Sequence, residues 1–370
     1  MIRTCFTEIC TLIMGQSPDS SSYNTNCEGL PFYQGNSDFG EWHPIPRVWC
    51  SEPKKIAQEN DILISVRAPI GDLNIANEKC CIGRGLAAIR IINSDNVDLT
   101  YLYHFFESKK TYLQEKGTGS TFKAINKDSL INFVIPLPSI KEQKSISQEL
   151  SALHLLITGK KNQLFALDEL VKSRFIEMFI GKGFERCKIK NLVDVKITTS
   201  KKGHLPTDLI KYIDISSIDN HKNEVVSYTE YKLLDAPSRA QQCLIENDIL
   251  VSTVRPNLKN IAINRYNDNN VVGSSGFCIL RSKLCNPLYL LHCLLTDDFT
   301  LQMTSLTSGA SYPAIRDNDV LDYEVINPPI ELQNEFAEFV KLIDKSKFIV
   351  QQQIKDLQEL LDSKMDEYFR

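Results

Sequence analysis

Residues that could hold an anionic ligand recur in four glycine-bearing loops. Gly117-Thr118-Gly119-Ser120-Thr121 and Thr307-Ser308-Gly309-Ala310-Ser311 combine small hydroxyls with unhindered backbone N–H groups, and Gly83-Arg84-Gly85 and Gly273-Ser274-Ser275-Gly276 have a similar make-up. Such donors can hold phosphate oxygens, although small polar loops are more often plain turns. Catalysis has no comparable set. No G-x-G-x-x-G follows a strand, and G-x-x-x-x-G-K-[ST], G-x-S-x-G and H-E-x-x-H are all missing. The 6 histidines do not cluster, and the 11 cysteines are odd in number and irregularly spaced, without a Cys-x-x-Cys. Cys80-Cys81 has no matching histidine cluster, so neither a disulfide framework nor a metal site is expected. The sequence implies no cofactor.

Two short stretches imitate catalytic motifs. Asn327-Pro328-Pro329-Ile330 resembles the Asn-Pro-Pro-aromatic motif of amino-methyltransferases, but Ile330 cannot stack on an extruded base and no glycine-rich cofactor loop stands upstream. Glu52-Pro53-Lys54, preceded by Pro18-Asp19, is too short a match to a nuclease carboxylate-lysine set to carry weight.

The loops belong to a larger repetition with a spacing of about 190 residues. Glu59-Asn60-Asp61-Ile62-Leu63-Ile64-Ser65 returns as Glu246-Asn247-Asp248-Ile249-Leu250-Val251-Ser252, each followed within three residues by an arginine, Arg67 or Arg255. Tyr101-Leu102-Tyr103-His104 returns as Tyr289-Leu290-Leu291-His292. Solenoid units run to only about 20 to 50 residues, so this is a duplicated domain. Within each copy, short β-branched or apolar runs such as Ile62 to Val66, Ala87 to Ile92, Ile249 to Val254 and Phe277 to Leu280 read as strands, and Leu99 to Tyr112 and Pro287 to Met303 read as helices.

Each copy ends in a heptad pattern. Ile146, Leu150, Leu153, Ile157, Leu164, Leu167, Val171 and Met178 form one seam, interrupted by Lys160 and Arg174. Phe336, Val340, Ile343, Val350, Ile354, Leu357, Leu361 and Tyr368 form the second in the same register, with Lys347 and Lys364 at seam positions. Prolines mark both starts: Pro136 and Pro138 in one copy, Pro328 and Pro329 in the other. A helix of about 40 residues is about 60 Å long. The expected fold is α+β, with two similar mixed α/β domains at residues 1–138 and 181–328 and long helices at 139–180 and 329–370. Equal register favours an antiparallel coiled coil, relating the halves by a pseudo-two-fold axis with the globular parts at opposite ends of a rod. The plainer alternative packs each helix on its own domain.

Composition agrees with a soluble protein of two to three domains: 370 residues, 42% hydrophobic and 24% charged. No apolar run reaches the roughly 18 residues that span a bilayer, and the start lacks a signal-peptide pattern, so a cytoplasmic location without membrane partners is expected.

The full ordered set resembles the specificity subunit of type I restriction-modification enzymes, over essentially the whole chain. It comprises the Gly119-Ser120-Thr121 loop, the Ile135-Pro136-Leu137-Pro138 junction, a helix opened by Glu142-Gln143, and the ending Ser173-Arg174-Phe175-Ile176-Glu177-Met178-Phe179, most of it repeated. Gly15-Gln16-Ser17-Pro18 is a further similar stretch, from which the second copy departs with Thr198-Thr199-Ser200-Lys201. The resemblance implies a non-catalytic protein whose two target recognition domains each read half of a split, asymmetric site in double-stranded DNA. It implies helices that space the readers and dock methyltransferase subunits, two being expected, with restriction subunits a possible addition. Half-sites of dimeric binders lie about 34 Å apart or at multiples of that, so spacer length would become a protein dimension. A coiled-coil adaptor without DNA recognition is the alternative.

Charge complicates that reading. The formal net charge is -4, residues 1–139 carry 13 Lys+Arg against 15 Asp+Glu, and residues 181–329 carry 17 of each. Any basic surface must be local, with further phosphate contacts supplied by partners. Arg and Lys pair with guanine and Asn and Gln with adenine, which selects Gln34, Asn36, Arg67, Arg84 and Lys123 in the first domain and Ser217, Arg255, Tyr312 and Arg316 in the second. Arg67 and Arg255 are also candidates for shared framework, because both copies have them.

Overall fold

The computed structural model describes residues 2–119, 123–308 and 313–370, which form two compact units. Unit 1 comprises Met1–Gln163 with Val350–Arg370, and unit 2 comprises Leu164–Ile349. Each therefore contains part of both long helices, the central helix Ile140–Phe179 and the terminal helix Ile330–Phe369. No helix among the described residues is long and apolar enough to cross a membrane.

Unit 1 is built on a four-stranded antiparallel sheet ordered Cys10–Met14, Leu86–Ile91, Ile62–Ser65 and Leu73–Ile75. A second, five-stranded sheet contains one parallel pair, Leu30–Tyr33 with Cys80–Ile82. Unit 2 repeats the scheme. Phe277–Ser282, Ile249–Ser252 and Ile261–Ile263 are antiparallel neighbours, extended to six strands by Val193–Asp194 on one side and by Glu224–Val225 and Ile218–Asp219 on the other. Leu209–Ile213 pairs in parallel with Val271–Ser274, and Glu224 makes a second parallel pairing with Ile263.

The repeated Glu-Asn-Asp-Ile-Leu stretch is a turn, an anchor and a strand in five residues. Asn60 and Asn247 both take φ of 68°, a left-handed conformation that asparagine tolerates better than most residues. The next residue, Asp61 or Asp248, is buried and accepts two guanidinium hydrogen bonds from the neighbouring strand, at 2.9 and 2.8 Å from Arg90 and at the same two distances from Arg281. The following apolar residues, Ile62 to Ile64 and Ile249 to Val251, are fully or nearly fully buried because the sheet is covered on both faces.

The Tyr-Leu stretch and the helix-opening glutamine lock the next layer. Tyr101 Oη donates to the Pro136 carbonyl at 2.6 Å, and Tyr289 Oη to the Ile326 carbonyl at 2.8 Å. Buried Gln143 accepts the Asp98 N–H at 2.9 Å and donates to the Pro138 carbonyl at 2.9 Å. Gln333 does the same with Asn286 and Pro328, also at 2.9 Å each. A buried amide that lost these partners would cost about 1–3 kcal/mol per unsatisfied group, which fixes where each long helix begins.

All sixteen seam residues are buried or half-buried. In unit 1 the core includes Ile146, Leu150, Leu153 and Ile157 of the central helix together with Leu361, Met365 and Phe369 of the terminal helix. In unit 2 it includes Val171, Phe175 and Phe179 with Phe336, Val340 and Ile343. Three of the four charged interruptions carry rungs between helices: Lys364 to Glu149 at 3.3 Å in unit 1, and Arg174 to Glu335 at 3.0 Å and Lys347 to Asp168 at 2.6 Å in unit 2, whereas Lys160 donates to Gln163 on its own helix at 3.3 Å. Phe369 packs edge-on against Tyr101, with ring centroids 5.2 Å apart, as Phe179 packs on Tyr289 at 4.8 Å.

Two outcomes follow from this packing. Phe369→Ala removes a buried ring from the core of unit 1 and is expected to cost about 3 kcal/mol of stability, read as a lowered urea midpoint; an unchanged midpoint would contradict the contact. Burial, helped by the Lys347 charge, lowers His292 to about 4. The unfolded chain, with an ordinary imidazole near 6.5, binds the proton first. Stability contributed by neutral His292 is therefore present above about pH 6.5 and lost towards about pH 4. Denaturation at stepped pH should show that slope in unit 2, and His292→Gln should flatten it.

Candidate nucleic-acid interface

Close backbone approach assembles the exposed row in unit 1. A Cβ on Gly85 would lie 2.3 Å from the Gln34 carbonyl oxygen, and one on Gly15 would lie 2.1 Å from that of Gly83, so only glycine lets these segments meet. The Val66 N–H then donates to Gly85 O at 2.9 Å, the Ile125 N–H to Val66 O at 3.0 Å, and the Ala68 N–H to Lys123 O at 3.1 Å. Four segments therefore run edge to edge, and their exposed side chains are Gln34, Arg84, Arg67 and Lys123. Arg67, Arg84 and Lys123 make no ion pair among the described residues, which leaves three cations of a weakly acidic domain on one row. Ser17 organises its start: its hydroxyl lies 3.1 Å from the Gln34 amide and 3.3 Å from the Arg84 N–H.

Asn36 does not share that freedom. Its amide donates to Asp72 at 3.0 Å, and Asp72 also pairs with Lys110 at 2.7 Å.

Unit 2 repeats the backbone and changes the side chains. The Thr253 N–H donates to Gly276 O at 3.0 Å, the Ile315 N–H to Thr253 O at 2.9 Å, and the Arg255 N–H to Pro313 O at 2.8 Å. Arg67 is bridged to Ala124, whereas Val254 is bridged to Ala314. The two arginines are thus one position out of step, and the shared-framework expectation for them is corrected: the equivalent of Arg67 is Val254, and that of Arg255 is Ala68. Arg255 is exposed and takes a left-handed φ of 50° before Pro256, a conformation that costs a residue with a Cβ about 1–2 kcal/mol and is found disproportionately at functional positions.

Arg316 is exposed and begins a short helix, Asp317–Leu321, its N–H donating to Asp319 at 2.7 Å. Ser217 is a correction. It is buried, 5% exposed, and its hydroxyl accepts the Asp214 N–H at 3.3 Å, so it holds a turn and has no surface to offer a base. Tyr312 lies outside the described residues, as do Ser120–Phe122 and Gly309–Ser311 of the hydroxyl-rich loops.

Three exposed cations were missed. Arg239 adjoins the unit 2 row, its carbonyl accepting the Ser275 N–H at 2.8 Å. Lys201 and Lys202 stand on the short helix Ser200–Gly203, which is fixed by the Ser200 hydroxyl donating to Ala240 O at 2.7 Å. The available signal was the departure of Thr198-Thr199-Ser200-Lys201 from the first copy: where the first copy's Gly15-Gln16-Ser17-Pro18 is irregular, the second forms the short helix Ser200–Gly203.

These two units, each a mixed α/β domain closed by long helices and presenting its own row of cations, define a duplicated recognition protein. The family model for the type I restriction modification DNA specificity domain matches twice, over residues 4–166 and 181–359, and the chain belongs to that family. A relative from Methanocaldococcus jannaschii, assigned as the specificity subunit of type I restriction enzyme MjaX, is 43% identical over 171 residues, covering 46% of this chain and 40% of the relative. The type I restriction enzyme MjaIX specificity subunit of the same organism is 25% identical over 338 residues, covering 84% and 76%. The chain thus spans under half the length of the first and about three quarters of the second. The crystal structure of a type I restriction-modification system S subunit from M. genitalium shares the fold, with a TM-score of 0.56 at 15% identity over 100% of this chain and 96% of that one.

Arg84→Ala and Lys123→Ala are each expected to weaken binding to double-stranded DNA and to reduce the slope of log affinity against log salt by about one. Fluorescence anisotropy across a salt series reads both. Unchanged affinity and slope with an intact circular dichroism spectrum would remove that residue from the interface.

Proposed function

We propose that the chain is the non-catalytic DNA-specificity subunit of a type I restriction-modification system. Each globular unit reads one half of an asymmetric, two-part site in double-stranded DNA. The central and terminal helices pair as an antiparallel coiled coil with pseudo-two-fold symmetry, set the gap between the half-sites, and dock methyltransferase subunits, two in the expected complex. Restriction subunits join where the system cleaves. Gln34, Arg67, Arg84 and Lys123 contact DNA from unit 1; Arg255 and Arg316, joined by Lys201, Lys202 and Arg239, do so from unit 2.

The observation that carries this reading is one backbone framework built twice with different exposed side chains. The Asn-Asp turn, the Asp–Arg pair, the buried glutamine and the edge-to-edge loops recur, while the cations on those loops do not. A protein reading one sequence twice would repeat its contacts; a protein reading two sequences would keep the scaffold and vary them. The helix pairing is supported by opposed numbering within unit 2, where Asp168 faces Lys347 and Arg174 faces Glu335. Near-neutral domains favour a complex in which partner subunits add phosphate contacts.

Co-expression with a methyltransferase of the same system, followed by genome-wide mapping of modified bases, tests the whole proposal. A split, asymmetric motif with a constant gap is expected. No modification, or a continuous palindrome, would overturn it.

A further inference from the structure

Among the described residues one group of side chains has the composition of a metal site, and it lies in unit 1. His104 and Glu107 stand one turn apart on the helix Leu99–Ser108, and His154 reaches them from the central helix. His104 Nδ1–H and His154 Nε2–H both donate to the same carboxylate oxygen, Glu107 Oε2, at 3.0 Å each. The three potential ligand atoms all lie within 4.8 Å of one another. The histidine spacing in the sequence gives no sign of this, because His154 is 47 residues beyond Glu107.

The surroundings suit a ligand set. His104 is fully buried, and its second nitrogen, Nε2, lies 3.1 Å from the Ser151 hydroxyl, which can accept an Nε2–H once the ring proton has left Nδ1 to free that nitrogen for an ion. That contact fixes the ring's orientation as outer partners of metal-bound histidines do. Glu107 lines a cavity of about 240 Å³ with Asp72, Tyr103 and Lys110, which offers a route for an ion and room for water. The Lys110 ammonium is held by Asp72 at 2.7 Å.

The fold does not need this cluster. Unit 2 keeps the first histidine as His292 but has Leu295, Asp344 and Lys341 where unit 1 has Glu107, His154 and Ser151. There His292 packs edge-on against Phe336 at 5.1 Å, and Asp344 lies 3.8 Å from Lys347. The same helices assemble without any His-Glu-His contact.

We propose that His104, Glu107 and His154 bind one zinc-class divalent transition-metal ion per chain, with water from the adjoining cavity completing its coordination. Two imidazoles and one carboxylate are a donor set that zinc accepts, at about 2.0–2.2 Å from each donor. Binding opens the 3.0 Å donor spacings by a few tenths of an ångström. It also tilts the two imidazoles out of their stack, in which they lie 9° from parallel with centroids 5.3 Å apart. His154, 26% exposed, is the ring free to move. The bound ion clips the central helix to the globular part of unit 1, replacing two hydrogen bonds with metal-ligand bonds while each neutral imidazole carries its proton on its other ring nitrogen, Nε2 of His104 and Nδ1 of His154.

The test uses the metal-free full chain at neutral pH and no DNA, so its result is independent of the specificity reading. Titration with Zn²⁺ by calorimetry and with Co²⁺ by visible absorption is expected to saturate at one ion, with a d–d spectrum of low coordination number, and Zn²⁺ should raise the melting temperature. Glu107→Gln and His154→Ala, at partly exposed positions, are expected to weaken binding by about tenfold or more and to abolish the thermal shift. A His104→Ala variant is unsuitable alone because that buried ring also supports the core. No saturable binding by the wild-type chain, or equal binding by wild type and both variants, would overturn the proposal.

Discussion

Each unit is closed by the tail of a helix that starts beyond it in the sequence or in the other copy of the repeat. Phe369 fills the space against Tyr101 in unit 1, and Phe179 fills the matching space against Tyr289 in unit 2. Much else depends on these two contacts. They place Leu361 and Met365 in one core and Val171 and Phe175 in the other. They also bring the charged seam positions opposite their partners, so that Lys364 meets Glu149 and Arg174 meets Glu335. Neither copy of the repeat completes its own core, and closing unit 1 means closing a loop of more than 250 residues. Loop entropy grows only slowly with such length, and burial of Leu361 and Met365 alongside Phe369 adds to what offsets it.

The sequence was most readable where local chemistry and burial coincide. Asn60 and Asn247 announce a left-handed turn, Asp61 and Asp248 an anchored carboxylate, and the apolar residues after them a strand, and all of this follows from residue type. The heptad seams were equally plain. Their lysines and arginine read as interruptions, yet Arg174, Lys347 and Lys364 are rungs, because a long cation can lay its stem on the apolar seam and extend its charge to a carboxylate on the facing helix. Phe175, Phe179, Met365 and Phe369 were absent from the predicted seams for a related reason: near its end each helix turns a second face to the globular part, and one period cannot describe two stripes.

Loop side chains were much less readable. Ser217 belongs to a residue type that is equally at home on a surface and in a turn, and only its hydrogen bond to Asp214 separates the two. Asn36 has the right chemistry for adenine and gives it to Asp72. Lys201, Lys202 and Arg239 lack a motif altogether. Net charge was also a poor guide, since acidic residues elsewhere cancel in the sum what Arg67, Arg84 and Lys123 concentrate along one row. Interactions at a surface are screened beyond roughly 8–10 Å at ordinary salt, so a binding partner senses that row rather than the total.

The one-residue offset between Arg67 and Arg255 bears on how such a protein diversifies. Along an extended segment successive side chains leave the backbone on opposite faces, and Arg255 is further re-aimed by its left-handed turn. A cation can therefore be relocated on the surface by moving it to the adjacent codon, with every backbone hydrogen bond around it left in place. The two halves can acquire independent chemistries without a change of architecture, and alignments that pair these arginines by eye would group together substitutions that alter different faces.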